Sequence, residues 1–123
     1  MATVSNGAVF SDIARRYDRL NAVLSLGRDQ AWRRTAIDRL PDGRILDLGA
    51  GTGAANDVFG IRDVVALDPS PEMLALDDTP HRLVAVGEAL PFVDESFDAV
   101  FSAYVFRNLD SVDATLHEIH RVL

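Results

Sequence analysis

The chain has 123 residues, no cysteine and a formal net charge of −7, which bounds it to one domain and removes disulfides, thiolate nucleophiles and Cys-type zinc sites. The acidic balance argues against a broad phosphate-binding face, and so against nucleic acid as a partner. No apolar stretch reaches the ~18 residues of a membrane span and no signal-peptide layout opens the chain, so the expectation is a soluble, cytoplasmic protein.

Apolar residues at helical spacing, Val9, Ile13, Tyr17, Leu20 and Leu24, predict a helix from Val9 to Leu24. A second helix is expected from Asp29 to Leu40, with Trp32, Ala36 and Leu40 on one inward stripe. Pro41-Asp42-Gly43 ends it and turns the chain into a short apolar strand, Ile45 to Leu48. A glycine-rich turn follows, then a short helix over Ala54 to Phe59 and a strand over Val64 to Leu67, apolar on both faces as a buried parallel strand is. Ser70 caps a helix with Pro71 in its first turn, running only to about Leu76. Asp77-Asp78 reads as a helix end or loop. Leu83 to Val86 and Phe97 to Ala103 are further strands, with Asp94 and Glu95 in a solvated turn before the last. A closing helix spans Ser111 to Leu123 with Val112, Leu116, Ile119 and Leu123 inward. His117 and His120 have a spacing that could reach one metal, but no third ligand is evident, so they read as a solvated face. Strands alternating with helices mean a parallel α/β sheet with right-handed crossovers. The expected layout is a helical cap over 1–40 and a cofactor-binding core over 41–123.

The chemistry is concentrated in Asp47-Leu48-Gly49-Ala50-Gly51-Thr52-Gly53. Glycines at alternate positions allow a tight turn and close approach of a ligand to bare amides. Asp68 stands at the carboxyl end of the next strand, where a carboxylate can accept both hydroxyls of a ribose. Together they imply an adenosine-containing cofactor. A dinucleotide site would carry G-x-G-x-x-G facing a pyrophosphate. Here the spacing is G-x-G-x-G with an acid two residues ahead, which suits a cationic nucleoside better; the bland alternative is a glycine turn used for packing alone.

This pattern resembles motif I of the S-adenosylmethionine-dependent methyltransferases. Val9-Phe10-Ser11-Asp12-Ile13-Ala14-Arg15-Arg16-Tyr17-Asp18-Arg19-Leu20-Asn21, Leu24-Ser25-Leu26-Gly27, Trp32-Arg33, Glu88-Ala89-Leu90-Pro91-Phe92, Arg107-Asn108-Leu109 and Arg121-Val122-Leu123 are similar to segments of the ubiquinone and menaquinone C-methyltransferases. The resemblance implies a Rossmann-like parallel sheet in the order 3-2-1-4, two N-terminal cap helices, and the absence of the C-terminal strands of the usual seven-stranded fold. It implies S-adenosylmethionine as cofactor, bound by Asp47, Gly49, Ala50, Gly51, Thr52, Gly53, Asp68, Pro69, Gly87 and Glu88. Arg107 is then expected to stabilise a phenolate and Tyr17 to hydrogen-bond the ring oxygen of the acceptor. That acceptor is a small hydrophobic molecule such as a polyprenyl quinol, with peripheral membrane contact to reach it. The chain departs from the pattern at Val86 and Ala103, where the family presents polar side chains; each lost hydrogen bond is worth about 0.5–1.5 kcal/mol, so affinity about tenfold weaker is expected. Two further expectations follow: a homodimer or partner chain covering the edge of the fourth strand, since an apolar edge invites pairing, and, as the alternative to an enzyme, a non-catalytic binding or assembly module. The chain is read as a fragment of a longer enzyme or as a short protein completed by another chain.

Overall fold

The computed structural model describes residues 28–103 and 111–123. They form helix α1 (Arg28–Asp38), strand β1 (Arg44–Leu48), α2 (Asn56–Phe59), β2 (Asp63–Asp68), α3 (Pro71–Leu74), β3 (His81–Val84), β4 (Ala99–Ser102) and α4 (Val112–Val122). The expected helix over Val9–Leu24, and with it Tyr17, lies outside the described residues, as does Arg107.

The sheet order is β3-β2-β1-β4 and every pairing is parallel, as the resemblance implies. Strand side chains alternate between faces, so β1 sends Ile45 one way and Leu46 and Leu48 the other. Ile45 packs with Val64, Ala99 and Phe101 against Ile37 of α1 and Val58 and Phe59 of α2. The rings of Phe59 and Phe101 meet edge to face, 5.7 Å between centroids. On the opposite face Leu46, Leu48, Leu67 and Phe97 pack with Leu90 and with Val122 of α4. Two cores sandwich β1, and Asp47 shares the α1/α2 face with Ile45.

Several boundaries differ from expectation. β3 begins at His81 and ends at Val84, two residues ahead of the apolar run Leu83–Val86, because its register starts with His81 opposite Val65. All four of its residues are exposed at the sheet edge, so apolar patterning does not mark it. Val86 instead bridges to Ala89 in the turn that follows. Trp32, expected inward, is 52% exposed; Ile37 is the buried residue of α1. In α4 the fully buried positions are Thr115 and Val122, while Val112, Leu116 and Leu123 are exposed. Of the expected inward stripe, Ile119 packs against the second core beside Val122, and Arg121 and Glu118 tie the helix to the loop before β4. Arg121 donates to the carbonyls of Leu90 (3.0 Å) and Phe92 (2.7 Å) and pairs with Asp94 and Glu118, whose Oε1 accepts the Leu90 amide at 2.8 Å. Among the described residues, no helix is long and apolar enough to cross a membrane and no cluster of His, Cys, Asp or Glu could hold a metal ion.

Candidate cofactor site

The parallel register brings the carboxyl ends of the strands into one row: Leu48 stands between Leu67 and Ser102, and Asp68 pairs with Val84. Ligands of open α/β sheets bind outside this edge. The chain leaves β1 there through Gly49, Gly51 and Gly53, at φ of +75°, +59° and +86°, a left-handed backbone that side chains disfavour. The space a Cβ would fill at Gly51 and Gly53 is already taken. An added Cβ would come within 2.9 Å of Met73 Cε at Gly51, and within 2.5 Å of Asn56 Nδ2 and 2.9 Å of Asp77 Cγ at Gly53.

The turn's amides are committed as well. Gly49 and Ala50 donate to the carbonyl of Leu67 at 2.8 and 3.0 Å, Gly53 to that of Ala50 at 3.1 Å, and Gly51 to Asp68 Oδ2 at 2.9 Å. This corrects the expectation of bare amides facing a ligand: at these four positions the glycines serve the turn itself, packing the neighbouring side chains and closing the backbone onto β2.

Asp68 is 7% exposed. Its Oδ2 holds the Gly51 amide and its Oδ1 the Ser70 amide, both at 2.9 Å. Each carboxylate oxygen has two lone pairs, so each retains one for a further donor. Burial pushes its pKa up, the Ser70 and Gly51 amides pull it down, and the charge of Asp77 pushes it up again.

Asp47 is 3% exposed, and its Oδ2 is buried with no hydrogen-bond partner among the described residues. Burial first, then the charges of Asp77 and Asp68, push its pKa from 3.8 up to about 8, with Arg33 opposing. Arg33 belongs to α1, which reaches the turn through Gln30 Nε2 donating to the carbonyl of Ala54 at 3.0 Å.

The remaining expected residues lie along the same edge. Thr52 and Pro69 are half-buried beside the turn and after β2. Past β3, the Ala85 amide donates to the carbonyl of Asp68 at 3.2 Å, which keeps the following turn, with buried Gly87 and half-buried Glu88, next to Asp68. Glu88 Oε2 accepts the amide of Ser111 at 3.2 Å, linking that turn to the cap of α4. Ser102, adjacent to the departed position Ala103, donates its hydroxyl to the carbonyl of Leu48 at 3.0 Å.

Asp77, which the sequence presents as a helix end or loop, is not among the expected site residues. It is 1% exposed and returns to the glycine turn from beyond α3. The signal was present in the spacing Asp77-x-Thr79, since an aspartate that accepts the amide two residues on makes a turn; here that bond is 2.8 Å.

One family, described as a methyltransferase domain, matches residues 46–123, the stretch that holds the glycine turn, Asp47 and Asp68. The chain belongs to that methyltransferase family. It is 44% identical over 124 residues to the demethylmenaquinone methyltransferase of Beutenbergia cavernae, covering 93% of this chain and 51% of that protein. It is 42% identical over 131 residues to the demethylmenaquinone methyltransferase of Thermus thermophilus, covering 94% of this chain and 59% of the relative. Among solved structures, an S-adenosylmethionine-dependent methyltransferase of Thermotoga maritima superposes with a TM-score of 0.81 at 25% identity, over 96% of this chain and 56% of that one. This methyltransferase chain therefore spans about half the length of the relatives it matches.

Proposed function

We propose that this chain binds S-adenosylmethionine at the carboxyl edge of its sheet and forms the cofactor-binding part of an enzyme that C-methylates a quinol-type acceptor. The observation that carries the reading is the pair of buried acids at the glycine turn. Among the described residues, Asp47 Oδ2 has no hydrogen-bond partner, and each oxygen of Asp68 accepts one amide, from Gly51 and from Ser70, which leaves it a lone pair for a further donor. A cation and a sugar diol, both present in this cofactor, are what such acceptors fit. The acceptor class rests on the relatives, named as demethylmenaquinone methyltransferases and, in Citrifermentans bemidjiense at 40% identity, as a ubiquinone/menaquinone biosynthesis C-methyltransferase. The assembly-module alternative draws no support from those relatives.

The bound cofactor supplies an electrophilic methyl group on sulfur. The chain's own groups hold and orient it. Asp68 accepts from the ribose hydroxyls, Asp47 from the ammonium, and the Gly87-Glu88 turn lies along the base, where Val86 offers no side-chain acceptor. Gly49, Ala50, Gly51, Thr52, Gly53 and Pro69 shape the crevice wall. Arg107 stabilises the phenolate of the acceptor and Tyr17 hydrogen-bonds its ring oxygen. Much of the rate comes from fixing the acceptor carbon in line with the methyl group.

Calorimetric titration of the chain with S-adenosylmethionine tests the cofactor reading. Saturable binding is expected, weakened by about tenfold or more in Asp68→Ala, which removes at least one charged hydrogen bond. A flat trace at millimolar-scale cofactor overturns it. In the full-length enzyme, Arg107→Ala is expected to abolish methyl transfer to a demethylmenaquinol while cofactor binding survives; unchanged turnover rejects the role of Arg107.

A further inference from the structure

We infer that Asp77 is a second carboxylate of the cofactor site, its Oδ2 joining Oδ2 of Asp47 to receive the ammonium group of the bound cofactor. The inference rests on the cofactor reading above and extends it to a residue outside every motif that identified the site.

The geometry of Asp77 separates its two oxygens. Oδ1 accepts Asn56 Nδ2 at 2.8 Å, the Thr79 amide at 2.8 Å and the Thr79 hydroxyl at 2.6 Å. The main chain is held too, since the Asp77 carbonyl accepts Arg82 Nη1 at 2.6 Å. The bonds to Oδ1 hold the carboxyl group from α2 and from the loop, and the bond from Arg82 of β3 holds the main chain behind it. Oδ2 is nonetheless buried with no hydrogen-bond partner among the described residues, and Oδ2 of Asp47 is in the same condition. The carboxyl of Asp77 lies against Gly53, where an added Cβ would come within 2.9 Å of its Cγ. Of the charges that act on Asp47, Asp77 ranks first, ahead of Asp68 on β2, and Arg33 on α1 is the one acting in the opposite sense.

Two buried carboxyl groups with unused oxygens repel one another and exclude an anion; a cation with several donors relieves both defects. An alkylammonium carries three N–H donors, two for these oxygens and one to spare. Positive charge placed beside Asp47 favours its ionised form. The proton held by Asp47, whose pKa stands at about 8, must then leave. Cofactor binding near neutral pH is therefore coupled to proton release.

The experiment is calorimetric titration of the chain at about pH 7 in two buffers of different ionisation heat, which counts the protons released. Three ligands are compared: S-adenosylmethionine, S-adenosylhomocysteine, and methylthioadenosine, which lacks the ammonium. The expected result is release of about one proton with the first two ligands and none with the third. Asp77→Asn is expected to weaken the two ammonium-bearing ligands by about tenfold and to leave methylthioadenosine unchanged. Thr79→Val, which loosens the tether but keeps the carboxylate, preserves the difference between ligands. Equal weakening of all three ligands in Asp77→Asn makes Asp77 a structural strap and overturns the inference, as does no weakening. Proton release with S-adenosylmethionine alone assigns the carboxylates to the sulfonium and also overturns it. If Asp77→Asn fails to fold, Asp77→Ser carries the same test: selective weakening of the two ammonium-bearing ligands supports the inference, and equal weakening or none overturns it. No binding of any ligand by the wild-type chain overturns the cofactor reading itself, an outcome distinct from the others.

Discussion

A carboxyl group buried beneath a glycine turn carries a cost that depends on pH, and Asp47 is where this protein incurs it. Between 3.8, its ordinary value, and about 8, its value in the fold, the folded chain holds a proton that the unfolded chain has already released. Raising the pH through that window withdraws stability, and the loss is complete above the folded value. Asp68, also raised by burial, adds to the loss in the same direction. Asparagine at position 47 cannot ionise. The ligand-free Asp47→Asn variant is therefore expected to gain on the wild type as pH rises, by roughly 1.4 kcal/mol for each pH unit in which only the folded form is protonated. Thermal melts between about pH 5 and pH 8 check this; an offset independent of pH would sink it.

At the scale of elements, α4 is held by Val122 and Ile119 on the second core and by one arginine. Arg121 donates to two carbonyls and two carboxylates in and around the segment from Leu90 to Asp94. Glu118, whose carboxyl is held below its ordinary pKa first by its hydrogen bond to Arg121, returns the bond through the Leu90 amide. That segment also carries Phe92, whose ring meets Phe97 edge to face at 4.8 Å, and it follows directly on the Gly87-Glu88 turn. Arg121→Ala is expected to lower the melting temperature and to raise hydrogen exchange at Leu90 and Glu95, whose amides are held by Glu118 and by the Arg121 carbonyl. Arg121→Lys is not expected to rescue it, because a point charge cannot replace a planar fork that meets several acceptors at once. Full recovery with lysine would contradict this account.

At the scale of the whole molecule, the sheet ends on both sides in strands with one neighbour each among the described residues. β4 is the more apolar of the two, with Ala99 and Phe101 buried and Val100 packed on the second core. An apolar edge without lysine or proline is a template for another strand. Light scattering across a range of concentrations is expected to show self-association to at least twice the monomer mass. A monomer mass throughout would mean that this edge is protected by other means.

The short apolar runs of Ile45 to Leu48 and of β2, the Ser70-Pro71 start of α3 and the glycine spacing each act over a few residues, so the sequence alone determined the sheet, its strand order through the family resemblance, and the place where a nucleoside is expected. What it could not determine depends on which groups meet across the chain. The amides at positions 49, 50, 51 and 53 are exposed or spent according to what β2 brings beside them, and only the fold showed them spent on Leu67, Ala50 and Asp68. The inward face of α4 keeps Ile119 of the apolar stripe and adds Val122 and Thr115, while Val112 and Leu116 find no neighbouring element to pack on among the described residues. β3 was misplaced by two residues because an exposed edge strand carries no periodic signal. Asp77 reads as a helix end or loop because the spacing Asp77-x-Thr79 signals a local turn but not that the side chain folds back, 1% exposed, to a residue 21 positions earlier. Short-range patterns are written along the chain; the pairing of buried charges exists only after the backbone has returned on itself.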